Sequence, residues 1–339
     1  MDNKTDPGNS TLELVELVCR VSGPRTMLED IRRGLNQAGL TQAVQLHDTD
    51  AIYDWLMEVV SYQGVSDAVA ATYMREHGVP RSWDVKRGVQ GAGCPKLLSY
   101  WHYEDCGFHK GSKTCAEPEH FERCHVPRLD LRNGRLNQSA YALQLFFRDV
   151  AGSDFVAWID RRLEEERVSS APAETRVMRM RQALLDPLGQ IHGLSSKVIS
   201  MALASLLLGA DPKRPHWIET GASMIAIDTL VHNWMHRTGI LRDQGAEHAY
   251  GPKCYAPGGC ADIIERISAR IDARDDNSEY PAYFPRFVQK AIWRFCAQAG
   301  FNQCNGNQVD DRYACDRQNC RLGEICERVP LRPLTVGYI

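Results

Sequence analysis

The 339-residue sequence lacks a basic segment followed by an apolar run at its start, MDNKTDPGNSTLELVE. With no export signal there, its twelve cysteines are expected to be reduced rather than paired, and the cytoplasm is the expected compartment. No stretch is both apolar and long enough to cross a bilayer. Internal repeats, heptads and low-complexity tracts are missing, and no alternating run is strong enough to suggest a sheet. A large excess of either sign of charge is lacking as well. A formal net charge of −3 is not the broad basic footprint of a chain that coats itself with phosphate, so contacts of that kind must be local.

What remains is helical. A hydrophobic content of 43% supports a proper core. Residues 1–10 look disordered, and apolar spacing then predicts helices over 12–21, 27–38, 51–61, 138–149 and 155–166. A polar stretch at 169–175 separates these from the most informative block, residues 191–241. Beyond it, Ile263, Ile264, Ile267 and Ile271 line one helical face, and Phe287, Val288, Ala291, Ile292 and Phe295 another. The fold class is all-α, in two lobes.

Within the block, Gly193, Leu194, Ser195 and Ser196 form a hairpin, and a helix apolar on nearly every side runs from about Lys197 to Leu208 under a serine cap. Asp228 stands before TLVHNWMHRTG, where it would cap a helix ending at Gly239. Lys197 and Asp228 thus occupy two helix starts. The plain readings are a cap for Asp228 and a solvated amine for Lys197. The chemical reading is that the positive end of a helix dipole and partial desolvation make an amine nucleophilic. A carboxylate beside it stabilises a sugar cation.

The segments IHGLSSKVI and IDTLVHNWMHRTG resemble the LPGVGxKTA and VDTHxxRxxxRTG patterns of the endonuclease III-like helix-hairpin-helix DNA glycosylases. The resemblance implies that Lys197 is the amine nucleophile of a glycosylase with AP lyase activity, and that Asp228 is its essential carboxylate. If Lys197 is displaced, Asp228 would activate water instead. Ser195 replaces a hairpin glycine, Leu230 replaces the histidine of VDTH, and an insertion over 211–221 widens the interval between Lys197 and Asp228. Upstream, WLMEVVSYQGVSDAVAATY is similar to the family's LLSxQTxDxxVNxAxxxL. This makes Gln63 the residue that fills the duplex when a nucleotide flips out, although a polar turn after an apolar helix would look the same.

The tail carries a third similarity. Cys304, Cys315, Cys320 and Cys326 are separated by ten, four and five residues and end in CRLGEICE, close to the loop that holds a 4Fe-4S cluster in many family members. Four thiolates also suit tetrahedral zinc; the resemblance favours iron and sulfur. Arg312, Arg317, Arg321, Arg328 and Arg332 are candidates to meet phosphates there. A second group, Cys94, Cys106, Cys115 and Cys124 with interspersed histidines, has no close CxxC pair. It fits either a second structural zinc or unliganded cysteines in an irregular insertion.

By this resemblance residues 1–49 are helices packing with the C-terminal lobe, and 50–87 with 130–208 form a helical barrel carrying the hairpin. Residues 88–129 are an insertion, 209–302 the lobe carrying Asp228, and 303–339 the cluster loop. The expected partner is double-stranded DNA with a damaged or modified base, bound by a monomer that flips the base into a cleft between the lobes. An oxidised pyrimidine is the default target, though hairpin amides bind phosphate without reading bases. Two rivals stand beside it. One is a noncatalytic DNA-binding or scaffold protein. The other is a metal-dependent hydrolase using Asp228, His232 and His236, at i, i+4 and i+8 but without HExxH framing.

Overall fold

A computed structural model describes residues 8–103, 106, 129, 134–167 and 173–332. Among these the longer elements are all α-helices: α1 (Asn9–Ser22), α2 (Met27–Gln37), α3 (Leu40–Gln45), α4 (Thr49–Ser61), α5 (Asp67–His77), α6 (Ser82–Gly91), α7 (Tyr100–Tyr103), α8 (Gly134–Leu145), α9 (Phe155–Arg167), α10 (Ala173–Gly189), α11 (Ser196–Gly209), α12 (Pro215–Ser223), α13 (Thr229–Arg237), α14 (Ile240–Asp243), α15 (Cys260–Ser268) and α16 (Pro285–Cys296). Short 3-10 and π turns complete the set, and no strand occurs among the described residues. The all-α expectation holds.

The chain divides into two compact units. One joins residues up to Asp30 with those from Ala222 onward, and the other runs from Ile31 to Gly221.

In the second unit α4 is central, packing against α3, α6, α8 and α11. Asp48 starts it by accepting the N–H of Ala51 at 3.0 Å, and Ile52, Tyr53, Leu56, Met57 and Val60 recur at helical spacing on its buried face. Tyr53 donates its hydroxyl to the carbonyl of Ala140 at 2.8 Å, joining α4 to α8. The helix expected over 138–149 changes pitch on the way. After α8 the chain makes a π-helical turn, Phe146–Val150, which presents Phe146 and Phe147 to Phe155 and Trp158 of α9.

In the first unit α16 is the hub, packed by α1, α13 and α15. Pro285 opens it, and its apolar positions Phe287, Val288, Ala291, Ile292 and Phe295 are buried as the spacing predicts. Gly23 lets α1 end hard against it, since a Cβ there would lie 2.8 Å from the Phe287 ring. Two sequence expectations need correction. Helix α1 begins at Asn9, inside the stretch expected to be disordered. Helix α15 stops at Ser268, where i→i+3 bonds from Arg270 and Ile271 tighten and end it, so Ile271 lies beyond the face formed by Ile263, Ile264 and Ile267.

Candidate nucleic-acid interface and metal centre

Helices α10 and α11 are joined by a tight turn at 190–195, in which Gly193 takes φ +81°, a left-handed conformation that favours glycine. Ser195 occupies the cap position of α11 with extended backbone, but its side chain makes no cap bond, unlike the expected serine cap. Its N–H is held instead by Gln63 Oε1 at 2.8 Å, while Gln63 Nε2 donates to the carbonyl of Gly193 at 2.9 Å. Ser139 adds a hydroxyl bond to the carbonyl of His192 at 2.9 Å. Gln63, expected as a wedge into the duplex, thus has its amide on the hairpin main chain, and the side chain preceding it, Tyr62, is 38% exposed. Leu194 is buried beneath the turn, Ser196 is exposed, and Lys197 is half-buried in the first turn of α11. Downstream of α11, Arg214 is committed to Asp160 and Asp211.

Asp228 belongs to the other unit. It caps α13 as expected, with Oδ1 accepting the N–H of Val231 at 3.0 Å; Oδ2 accepts no bond from a described residue. Buried cations of α16 feel its charge. Burial, then Arg286 and Arg294, push Lys290 down to about 8, with Asp228 acting the other way. Burial likewise pushes Arg286 down to about 10 against the opposing pull of Tyr255 and Asp228. Tyr255 anchors the same strand of chain, since its hydroxyl accepts the N–H of Ile227 at 2.9 Å. Burial raises the Tyr255 phenol to about 12.

Four side chains that the sequence did not group come together beside α13. His232, His248, Cys254 and Cys260 bring one donor atom each within 4.8 Å of one another, and such a group could hold a metal ion. His232 Nδ1 is 3.4 Å from Cys260 Sγ and 3.5 Å from Cys254 Sγ, and His248 Nε2 is 3.6 Å from Cys260 Sγ. His232 is only 4% exposed and both thiols are fully buried. Burial, then His248 and His236, push the imidazole of His232 down to about 4, which leaves it neutral with a lone pair to donate. Because His232 turns toward these thiols, the face of Asp228, His232 and His236 is not a common ligand set.

The tail cysteines lie at the far end of α13. Arg237, 2% exposed, pairs with Asp311 and directs Nη1 toward Cys304 Sγ at 3.8 Å, while Cys326 Sγ lies 3.7 Å from its carbonyl. The main chain returns to the same point, with Val329 N–H donating to that carbonyl at 2.8 Å. Burial pushes the Cys326 thiol up to about 11, and Cys304, Cys320 and Cys315 add to the shift; the four tail cysteines are not among the groups of described residues drawn close enough to share one metal ion. A hydrogen bond with the Cys296 thiol, then Arg237 and Arg317, holds Cys304 below the usual thiol range against burial. Two of the arginines that are candidates to meet phosphate also stitch the loop. Arg317 donates to the carbonyl of Gln303 at 3.0 Å and Arg328 to that of Gly323 at 2.9 Å. Arg312 pairs with Asp310 at 2.6 Å, whereas Arg321 and Arg332 are exposed.

Of the second cysteine group, Cys94 is buried before a short 3-10 turn and the carbonyl of Cys106 accepts from Gln138 Nε2 at 3.0 Å. Cys115 and Cys124 lie outside the described residues. No helix among the described residues is long and apolar enough to cross a membrane. No protein family, no curated protein and no solved structure matches this chain.

Proposed function

We infer that the chain is a DNA glycosylase of helix-hairpin-helix architecture, with a lyase step, that acts on a damaged or modified base. The observation that carries the reading is the Gln63 bridge. Two segments that resemble the same family separately, 55–73 and 191–199, meet through a two-point bond from side chain to hairpin main chain. In this reading the start of α11, left without a side-chain cap, offers its N–H groups to a duplex phosphate, while Gln63 keeps the turn in shape.

Asp228 stabilises the positive charge that builds on the sugar as the N-glycosidic bond lengthens. The Lys197 amine attacks C1′ as the base departs with the bonding pair. The C1′–O4′ bond then opens, with O4′ taking up a proton and the nitrogen losing one, to give a Schiff base; removal of a C2′ proton expels the 3′ phosphate by β-elimination, and water hydrolyses the imine to free the enzyme. Lys290 is a second candidate for the amine, because it shares a unit with Asp228, feels its charge and is pushed down to about 8.

Cys304, Cys315, Cys320 and Cys326 are assigned to a 4Fe-4S cluster, with zinc as the alternative. The guanidinium groups of Arg237 and Arg317 near Cys304 favour a thiolate there. When bound, such a cluster supplies rigidity to the loop rather than a reacting atom.

The second reading is a noncatalytic DNA-binding protein, favoured by the structural work Asp228 already does as a cap and as counter-charge to Arg286 and Lys290. Base release from duplexes carrying oxidised, alkylated, deaminated or otherwise modified bases, read by mass spectrometry, separates the two. The glycosylase reading expects one class of base to be freed and the rate to fall about 100-fold or more in Asp228→Asn. Binding to duplex with no base freed from any of them would leave the noncatalytic protein.

A further inference from the structure

The group formed by His232, His248, Cys254 and Cys260 has the dimensions of a tetrahedral metal site. Bonds of about 2.3 Å to sulfur and about 2.05 Å to nitrogen, held at the tetrahedral angle, place a nitrogen and a sulfur about 3.6 Å apart. The three nitrogen–sulfur separations recorded here are 3.4, 3.5 and 3.6 Å.

The surroundings match as well. His248 Nδ1 faces the carbonyl of Ala246 at 2.6 Å; donation of its N–H there leaves the lone pair on Nε2, the atom that faces Cys260. Fixing an imidazole through its other nitrogen is how metal-ligating histidines are oriented. Cys260 is the first residue of α15, so the helix start fixes where its thiol lies. Gly259 makes the approach possible, because a Cβ there would collide with the carbonyl of Lys253. Without a cation, two thiols and two imidazoles would lie together with only weak mutual bonds. With one, all four lone pairs are used.

We propose that His232, His248, Cys254 and Cys260 bind one zinc ion in a closed structural site that ties the loop from His248 to Cys260 onto α13. Two borderline nitrogens and two thiolates in tetrahedral array select zinc among common cations, and four protein ligands leave no open position for catalysis. The site is distinct from the tail cysteines and does not depend on the substrate of the enzyme.

The test measures zinc and iron per chain in the purified full-length protein, in Cys254→Ser/Cys260→Ser and in Cys320→Ser/Cys326→Ser. Zinc is expected to fall by one equivalent in the first variant and to persist in the second. Unchanged zinc in Cys254→Ser/Cys260→Ser would overturn the proposal. If that variant does not fold, X-ray absorption at the zinc edge of the wild type decides. A shell containing histidine nitrogen at about 2.05 Å beside sulfur at about 2.3 Å is expected. An all-sulfur shell, no zinc, or a mapped disulfide between Cys254 and Cys260 would refute it.

Discussion

The main-chain N–H of His232 donates to the carbonyl of Asp228 at 3.0 Å, so one turn of α13 links the His2Cys2 group to the carboxylate assigned to the sugar. Fixing His232 therefore fixes the turn that Asp228 caps. Stripping zinc with a chelator is expected to speed amide exchange at least tenfold over residues 229–236 and 248–260, and to lower the melting temperature by several degrees. Hydrogen exchange read by mass spectrometry checks this, and unchanged protection in those two segments would contradict it.

Gln63→Ala removes both bonds to the hairpin. Two neutral hydrogen bonds at a half-buried site are together worth about 1–2 kcal/mol, so the denaturation midpoint should fall accordingly. Affinity for undamaged duplex should fall with it, because the turn would no longer be held open for phosphate. A variant that binds duplex like the wild type would show that the hairpin keeps its shape without Gln63.

Gly239 sits at φ +92° directly against the Glu327 side chain, where any Cβ would overlap its carboxylate. Gly239→Ala is expected to cost about 1–2 kcal/mol from the backbone alone. It should also free the tail, whose Glu327 otherwise pairs with Arg242. Faster proteolysis after residue 300, with α1 and α16 intact, is the expected sign.

Lys290 gives a pH signature. Its folded pKa, about 8, lies below the ordinary 10.5, so between those values the unfolded chain binds more protons and stability rises with pH. The charged groups it feels are Arg286, Arg294 and Asp228, and its ammonium lies 3.8 Å over the Trp293 ring. Lys290→Met should remove this contribution. Urea midpoints of both proteins from pH 7.5 to 10 are expected to converge at the alkaline end, with wild type gaining more; parallel curves would place Lys290 in solvent.

The helices were largely legible because their apolar positions recur at helical spacing and because Asp228 marks the start of α13; the Asp48 cap of α4 was shown only by the structure. The zinc group was not. Its ligands are separated by fifteen, five and five residues, with no CxxC pair, and His232 read equally well as the middle of a face with Asp228 and His236. The available signal was CYAPGGC, two cysteines around a Pro-Gly-Gly turn downstream of two histidines. The roles of the tail arginines were also hidden. Whether Arg317 or Arg328 meets solvent or a carbonyl depends on how the loop closes, which periodicity does not encode.

The most direct test of the central claim is borohydride trapping on duplex DNA containing an abasic site, comparing wild type with Lys197→Ala, Lys290→Met and Asp228→Asn. The account predicts a covalent protein–DNA adduct that disappears in Lys197→Ala, is greatly reduced in Asp228→Asn and persists in Lys290→Met. An adduct lost only in Lys290→Met would move the amine to α16. No adduct with wild type, on duplex that it demonstrably binds, would contradict the lyase chemistry altogether.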